Sequence, residues 1–343
     1  MLTDREALDL FASSDLIGLG MAADALRRKL HPEGVVTYII DRNINYTNIC
    51  TEYCTFCAFY RPFGHPEAYV LPKETIFQKI RETLDLGGTG ILMQGGLHPA
   101  LTIEYYEDLL RSIKQRFRIH LHCFSSPEIL NIAEVSGITL EETIARLRDA
   151  GLDSIPGGGA EILDDEVRRR ISRLKCSSAE WLEVHRVAHR LGLPTTATMM
   201  FGCGETHRHR VNHLRLIREL QEETGGFTAF IPWTFQPANT SLGRQIPEET
   251  SAVDYLKTLA LSRWYLENIP NIQASWVTQG LKVCQLGLRF GANDVGSVML
   301  EENVVAAAGA HNRACEEDLR RMIREAGFTP RRRDTLYRTY FLF

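Results

Sequence analysis

Three cysteines stand close together near the amino end of the chain, at Cys50, Cys54 and Cys57, with the spacing C-x3-C-x2-C. Cysteine thiolates bind soft metals, and a four-iron cluster held by protein alone uses four of them. Metal sites that carry out chemistry keep one coordination position free, whereas structural sites are closed. Three thiolates in one short loop therefore predict a [4Fe–4S] cluster whose fourth iron is open to a second molecule.

Two other classes of protein could use such cysteines. A structural zinc site usually has paired C-x2-C units, and an electron-transfer iron–sulfur protein has a fourth cysteine in register. The other cysteines of this chain are scattered, at Cys123, Cys176, Cys203, Cys284 and Cys315. His120 and His122 form an H-x-H pattern that resembles the zinc site of amidohydrolase barrels, which needs further ligands on later strands. A zinc hydrolase and an electron-transfer protein are therefore the alternatives from other classes.

Three glycine-rich segments follow predicted strands, and glycine lets a ligand approach the backbone closely because it has no Cβ. These segments are Gly95–Gly96, Gly157–Gly159 and Gly202–Gly204. Glu161 follows the second segment, and a carboxylate can accept two hydrogen bonds from the hydroxyls of a sugar. Glu161 is therefore predicted to bind a ribose, and the alternative is an acidic residue at a helix start.

Asp294 ends the last predicted strand, just before the turn that contains Gly296. A carboxylate that points from a strand end into the mouth of a barrel is a candidate ligand or base. Asn-Asp before a glycine is also common turn chemistry, so a turn or helix cap is the alternative role for Asp294.

Strand-like runs alternate with helical stretches, which is the pattern of a parallel sheet covered by helices. Eight strands are predicted, near residues 36–45, 90–94, 119–124, 153–156, 195–200, 227–231, 272–276 and 292–294. Capping boxes at Thr139-x-x-Glu142 and Ser177-x-x-Glu180 predict two of the helix starts. The predicted fold class is α/β, a (βα)8 TIM-type barrel, with a partly open barrel as the alternative. Such barrels carry their chemistry at the carboxyl ends of the strands, where the cysteines stand.

The two ends of the chain are predicted to lie outside this barrel. Residues 1–35 are predicted as an N-terminal helical extension, residues 36–300 as the barrel, and residues 301–343 as a C-terminal helix and tail packed on the barrel. The 343 residues are 44% hydrophobic with a net charge of −4, which is ordinary for a globular protein. No long apolar run, basic stretch or signal segment is present, so we expect a cytoplasmic protein without a membrane or nucleic-acid partner.

The cysteine spacing resembles the signature of the radical S-adenosylmethionine (SAM) enzymes, in which the amino and carboxylate groups of SAM fill the open iron position. The resemblance implies the radical SAM barrel, a [4Fe–4S] cluster and SAM. In that family a Gly-Gly-Glu motif receives the methionine end of SAM, and here Leu97 replaces the glutamate. The residues implied to bind the cofactors are Phe56, Tyr60, Gln94, Gly95, Gly96, Glu161, Gly202 and Glu205.

A longer set of segments resembles the cyclic dehypoxanthinyl futalosine synthases of menaquinone biosynthesis. These segments are Val36–Cys50, Cys57–Arg61, Gln94–Pro99, Gly159–Ile162, Glu180–Leu182 and Gly291–Asp294. Aminofutalosine synthase and the deazaflavin (F0) synthase subunits share the cysteines and the Gly-Gly-x-His-Pro turn, and they are the alternatives within the superfamily.

This closer resemblance implies a ring closure in dehypoxanthine futalosine. A 5′-deoxyadenosyl radical takes hydrogen from C4′ of the sugar, the sugar radical adds to the benzoate ring, and loss of a proton and an electron restores aromaticity. The predicted bases are Asp294 and Glu161. The residues predicted to hold the substrate are Arg61, His98, Arg210 and Asp294. The implied protein partner is a reductant of the flavodoxin or ferredoxin type.

Overall fold

The computed structural model describes residues 2–340, so residue 1 of the predicted extension and residues 341–343 of the predicted tail lie outside the described residues. In chain order, β1 to β10 are Val35–Ile39, Asp41–Ile44, Gly90–Met93, His120–Cys123, Thr195–Phe201, Phe227–Thr234, Asn271–Ile272, Asp294–Ser297, Thr329–Arg333 and Thr339–Tyr340. In chain order, α1 to α13 are Asp4–Ala12, Leu16–Leu30, Lys73–Asp85, Ile103–Arg116, Ser126–Ser136, Leu140–Ala150, Asp165–Ile171, Ser178–Arg190, His207–Thr224, Ala252–Tyr265, Trp276–Gly287, Val304–Ala307 and Glu316–Glu325.

The strands pair in three groups, and every pair is parallel except β9 with β10. The first group is β2, β3 and β4, the second is β5, β6 and β7, and the third is β8, β1, β9 and β10. Single parallel bridges connect the groups, and they join His122 to Ser154, Ile155 to Thr195, and Gln273 to Asp294. The predicted α/β class with parallel strands is therefore confirmed.

Several predicted strands differ from the observed ones. The first divides at Ile40 into β1 and β2. The fourth, near residues 153–156, contributes only single bridges, because Pro156 has no N–H to donate and glycines follow it. The seventh is shortened because Trp276 already begins α11. The eighth begins at Asp294, the residue at which the prediction ends it.

Local sequence signals place several helix ends. Ser177 and Glu180 form the predicted capping box of α8, and the Thr139 hydroxyl accepts a hydrogen bond from the Glu142 N–H at the start of α6. Gly151 then ends α6 with a φ of 119°, in the left-handed region that favours glycine. No helix within residues 2–340 has the length and apolar character needed to cross a membrane.

Successive residues of a strand point to opposite faces of the sheet, so only one set of side chains packs into the apolar core under the helices. Ile44, Ile91 and Leu121 are fully or almost fully buried in one apolar cluster, and Met199 is buried in a second. Burial of each large aliphatic side chain contributes about 1.5–3 kcal/mol. The helices are thereby held against the strands, and the loops at the strand ends have a rigid support.

The carboxyl-terminal segment is part of a sheet rather than a simple tail. The predicted helix is present as α13, but Thr329–Arg333 then pairs in parallel with β1. The sequence did not predict this strand, because it contains a run of arginines and charged residues are not typical of strands. The predicted domain limits at residues 35 and 300 stay predictions.

Candidate metal and cofactor site

A cavity of about 310 Å³ lies among the parallel strands. Inward-facing strand residues form much of its wall, among them Ile39, Asp41, Asn43, Leu92, Gln94, His122, Thr196, Thr198, Ile231, Trp233, Gln273 and Ser297. The loop residues Gly157–Gly159 and Glu161 contribute, as do Arg333, Thr335 and Tyr337 near the carboxyl end. Apolar walls with a few convergent polar groups are typical of small-molecule sites.

The cysteine loop follows β2 directly, so it stands at the carboxyl end of that strand. Its three thiols are free; Cys54 is buried, and Cys50 and Cys57 are partly buried. The Cys50 N–H donates to the Arg61 carbonyl over 3.1 Å, and the Arg61 N–H donates to the Asn48 carbonyl over 2.7 Å. Burial raises the pKa of Cys54, and the other two thiols are close enough to add to the shift. Three converging thiols provide a ligand set for an iron–sulfur cluster.

The Gly95–Gly96 turn packs directly against this loop. A Cβ on Gly96 would lie 2.1 Å from the carbonyl oxygen of Ile49 and 2.8 Å from the Cβ of Cys50. The Gly96 N–H donates to the Thr47 carbonyl over 3.0 Å. Only glycine fits at this position, so the turn brings backbone groups next to the cysteines.

Replacing Gly96 by alanine should therefore displace the cysteine loop. The added methyl group would overlap a backbone carbonyl, and overpacking of this kind costs about 1–3 kcal/mol. We expect iron affinity after anaerobic reconstitution to fall about 10-fold or more, since loss of support around metal ligands has effects of that size. Gly64→Ala is the control, because a Cβ there meets no atom within 4 Å and adds only backbone strain. Wild-type iron affinity in the Gly96 variant would contradict this expectation.

Glu128 supports the glycine turn, and sequence reasoning missed it. Its Oε1 accepts hydrogen bonds from the Gly95 N–H and from the Tyr46 hydroxyl, each over 2.9 Å. Its Oε2 accepts from the Ser125 N–H and hydroxyl, which completes a capping box at the start of α5. The Ser-x-x-Glu spacing was an available signal, but it predicts a helix start and not a contact with a distant loop.

Glu161 lies in the cavity wall beside a buried lysine that the sequence did not single out. The Lys175 ammonium donates to Glu161 Oε1 over 2.9 Å, and it lies 5.3 Å from the centre of the Phe56 ring. Burial disfavours the charge of this lysine, but the Glu161 carboxylate outweighs that effect and raises the pKa of Lys175. A charged pair therefore stands between the cavity and the cysteine loop.

Two buried oxygen atoms of cavity-lining residues have no hydrogen-bond partner within the part of the chain that the structure describes. They are Oε2 of Glu161 and Oδ1 of Asn43. An unsatisfied buried acceptor costs about 1–3 kcal/mol. A bound molecule that carries hydroxyl or amino donors would relieve this cost, and these oxygens therefore fit a sugar-containing ligand such as SAM.

The other predicted cofactor residues lie in different surroundings. Gln94 lines the cavity and packs against Gly158. Tyr60 is partly buried beside the cysteine loop, and its ring meets the Tyr53 ring edge-on with centres 5.6 Å apart. Gly202 has a φ of 86°, and a Cβ there would lie 1.9 Å from the Thr250 hydroxyl. The positive φ and the tight packing against Thr250, which precedes α10, therefore account for Gly202 without a ligand.

Glu205 and Arg210 are hydrogen-bonded to each other, and the roles predicted for them stay predictions. The Glu205 carboxylate accepts from the N–H groups of Gly202 and Cys203, each over 2.8 Å, and from Arg210 Nε over 2.7 Å. Arg210 also donates to both carboxylate oxygens of Asp254, over 2.7 and 2.9 Å. The two side chains therefore already have partners in each other, in the loop and in Asp254.

Arg61 and His98 also have partners within the chain, and their predicted substrate roles stay predictions. One Arg61 nitrogen donates to the three carbonyls of residues 58–60, and Nε donates to Glu67 over 2.7 Å. Arg61 therefore holds the backbone of the cysteine loop. His98 is buried, its Nδ1 accepts from the Ala100 N–H over 3.1 Å, and its ring meets that of Phe63. Neither residue is part of the cavity wall.

Asp294 lies outside the cavity wall, and its predicted role as a base stays a prediction. It is the first residue of β8, whereas the prediction ended the strand there. Arg333 donates to both of its oxygens, over 2.6 and 2.9 Å, and the Thr37 hydroxyl and Gly296 N–H donate as well. Both oxygens of Asp294 are thus engaged in an ion pair and hydrogen bonds within the chain.

The H-x-H pair is explained by local hydrogen bonding. His120 Nε2 and His122 Nδ1 each lie 2.7 Å from the hydroxyl oxygen of Ser154. Burial lowers the pKa of His122 to about 3, so its ring is neutral near neutral pH. The two histidines share one serine that bridges β4 to the next segment.

Two family models match the chain. Residues 44–217 match the model described as the radical SAM superfamily, and residues 224–341 match the one described as the CofH/MqnC C-terminal region. Among solved structures, methylornithine synthase shares 20% identity with a TM-score of 0.72, covering 96% of this chain and 94% of that one. A hydrogenase maturase, HydG, shares 16% identity with a TM-score of 0.74, covering 96% of this chain and 72% of that one. At these identities the two structures bear on the fold alone.

Curated relatives are similar over nearly the whole chain. A protein of Halalkalibacterium halodurans named cyclic dehypoxanthine futalosine synthase is 50% identical over 98% of this chain and 90% of its own length. A Streptomyces coelicolor protein of the same name is 45% identical over 98% of this chain and 85% of its own. A Methanothermobacter thermautotrophicus protein named 5-amino-6-(D-ribitylamino)uracil–L-tyrosine 4-hydroxyphenyl transferase is 44% identical over 98% of this chain and 94% of its own.

Proposed function

The chain belongs to the radical SAM superfamily, and we propose that it closes dehypoxanthine futalosine into its cyclic form. The observation that carries the proposal is the 50% identity, over 98% of the chain, to a relative with that name. The geometry supports it, because the cysteine loop stands at a strand end and buried acceptors of the cavity lack partners.

The proposed scaffold is a complete (βα)8 barrel. Bridges at Ser154 and Ile155 link β4 to β5, and the bridge from Gln273 to Asp294 links β7 to β8. β8 pairs with β1, which continues through Ile40 into β2 and so to β3. This order of neighbours supports a closed ring of strands around the cavity.

Cys50, Cys54 and Cys57 would hold the [4Fe–4S] cluster, and the Gly95–Gly96 turn would present its backbone to SAM. When bound, the cluster and SAM supply the electron and the 5′-deoxyadenosyl radical that start the reaction. An electron donor of the flavodoxin or ferredoxin type is part of the proposal. The unpartnered oxygen of Glu161 would accept a hydrogen bond from a ribose hydroxyl, with Lys175 holding the carboxylate in place.

The cavity wall would hold the substrate and exclude water from its radical. Ile231, Trp233 and Val277 supply apolar surface, while Asn43 and Gln273 supply hydrogen-bonding groups. Exclusion of water protects a reactive intermediate from side reactions. The Asn43 oxygen would accept from a donor group of the substrate.

Anaerobic reconstitution, reduction and incubation with SAM tests the proposal. With dehypoxanthine futalosine we expect 5′-deoxyadenosine that depends on the substrate, together with a product lighter by two hydrogen atoms. Parallel reactions contain tyrosine with 5-amino-6-(D-ribitylamino)uracil, or an enolpyruvyl benzoate. The first corresponds to the archaeal relatives at 44% identity, and the second to aminofutalosine synthase. Turnover in either parallel reaction without turnover of dehypoxanthine futalosine would overturn the proposal. So would the absence of 5′-deoxyadenosine.

A further inference from the structure

Three carboxylates line the cavity within the part of the chain that the structure describes, at Asp41, Glu161 and Glu302. Two of them are already committed. Glu161 is neutralised by Lys175, whose ammonium lies 2.9 Å from Oε1. Glu302 accepts hydrogen bonds from the backbone N–H groups of residues 304–306, over 2.8 to 3.0 Å, at the start of α12. Burial raises the pKa of Glu302, but its backbone donors already hold the carboxylate at the helix start.

Asp41 is arranged differently. It begins β2, immediately after the break at Ile40, and faces the cavity two residues before Asn43. The Ser297 hydroxyl donates to its Oδ1, and the Ser297 oxygen in turn accepts from the Met299 N–H over 2.7 Å. One oxygen of the carboxylate is thereby fixed in orientation, and no ion pair engages the group at 4 Å or less among the described residues.

The charged surroundings of Asp41 favour a moderately basic carboxylate. Burial raises the pKa of Asp41 to about 6, and Asp294 on β8 adds to the rise, while the Ser297 hydrogen bond and Arg333 on β9 oppose it. Tyr337 also faces this group, with its own pKa raised by burial. Arg333 is held by Asp294, so it does not neutralise Asp41 directly. A base with a pKa near the working pH is efficient in proton transfer.

We propose that Asp41 is the proton acceptor of the ring closure, an inference that rests on the proposed function. After the sugar radical has joined the benzoate ring, the ring carbon at the new bond is tetrahedral and the other five ring carbons share one unpaired electron, so the hydrogen on the tetrahedral carbon must leave as a proton. The Asp41 carboxylate forms an O–H bond as that C–H bond breaks. The bonding pair stays in the ring, and one electron passes to an acceptor of the oxidised iron–sulfur class. Asp41 becomes a neutral acid and the ring regains its aromatic sextet.

Asp41→Asn tests this assignment because it keeps the shape and removes the base. We expect the variant to form 5′-deoxyadenosine from dehypoxanthine futalosine within about 3-fold of the wild-type rate, while cyclic product falls about 100-fold or more, the usual contribution of a general base. A substrate-derived radical should then accumulate in electron paramagnetic resonance spectra. An unchanged ratio of product to 5′-deoxyadenosine would overturn the assignment. If the wild type forms no 5′-deoxyadenosine with this substrate, the proposed function itself fails and Asp41 with it.

Two further variants separate catalysis from structure. Asp41→Glu keeps a carboxylate, so the ratio of cyclic product to 5′-deoxyadenosine should be higher than in Asp41→Asn. A purely structural role would not predict this recovery. Ser297→Ala removes a hydrogen bond that lowers the pKa of Asp41, so the pH at which the product ratio is half-maximal should move upward. Comparison of the wild-type and Asp41→Asn apoproteins identifies the infrared carboxyl band of Asp41. In the wild type this band should titrate with a midpoint at about pH 6. A product ratio that keeps its pH dependence in Ser297→Ala would contradict the assignment, even if Asp41→Asn does not fold.

Discussion

Replacement of Cys54 by alanine is expected to abolish cluster assembly and radical formation. Cys54 is the most buried of the three loop cysteines, and it stands between the other two in the chain. Two remaining thiolates would leave two irons without protein ligands. Loss of a residue that only supports a metal ligand typically lowers metal affinity or activity about 10- to 100-fold. Loss of a ligand itself should therefore reduce 5′-deoxyadenosine formation by more than about 100-fold.

Iron and sulfide content after anaerobic reconstitution measures this directly, together with the spectrum of the reduced protein. Cys315→Ser is the control, because Cys315 is exposed and distant in sequence from the loop. It should bind iron as the wild type does. A Cys54 variant that retains a complete four-iron cluster would contradict the ligand assignment, and a wild type that carries zinc without iron would overturn the cluster itself.

The prediction of a cysteine site rests on local information. The three cysteines lie within eight residues, and the spacing alone limits the metal chemistry that they can support. Helix starts such as Ser177 and the helix end at Gly151 were predictable for the same reason, since caps act within one turn. The parallel α/β class followed from the alternation of strands and helices.

The prediction of a base at Asp294 depended on which end of a strand that residue occupies. The prediction ended the eighth strand at Asp294, and the structure begins it there. That shift moves the carboxylate from the expected cavity mouth to a buried contact with Arg333, which lies 39 residues further along the chain. Asp41 was visible only as part of a family-like segment, because its cavity-facing position depends on the break at Ile40.

The charged residues show a second limit of sequence reasoning. Arg61 and Arg210 were predicted to hold a substrate carboxylate because a guanidinium suits a planar anion. In the folded chain Arg61 donates to its own loop, and Arg210 is shared between Glu205 and Asp254. A sequence gives the charge of a residue but not the partners that already satisfy it. Lys175 is the converse case, because no motif marks it although it lies beside the Phe56 ring and Glu161.

Replacement of Arg333 by methionine is expected to destabilise the protein by about 3–5 kcal/mol, the usual cost of leaving one partner of a buried ion pair without the other. Arg333 donates to both oxygens of Asp294, and the exposed fractions of the two side chains are 5% and 0%. Its guanidinium also stacks on the Tyr337 ring at 3.8 Å. Chemical denaturation of the apoprotein, followed by circular dichroism, would give the change in the free energy of unfolding.

The double variant Asp294→Asn with Arg333→Met separates the unpaired charge from the lost packing. Replacing a buried ion pair on both sides is often close to neutral, because the cost of desolvating both charges disappears with their attraction. The Gly296 N–H and the Thr37 hydroxyl donate to different oxygens of Asp294, over 2.8 and 2.6 Å. In Asp294→Asn the remaining oxygen can accept from the Gly296 N–H, and the new NH2 group can donate to the Thr37 hydroxyl oxygen. The double variant should therefore recover at least about half of the lost stability. If it is as unstable as Arg333→Met alone, the loss comes from the contacts between β9 and β1 and not from a buried charge.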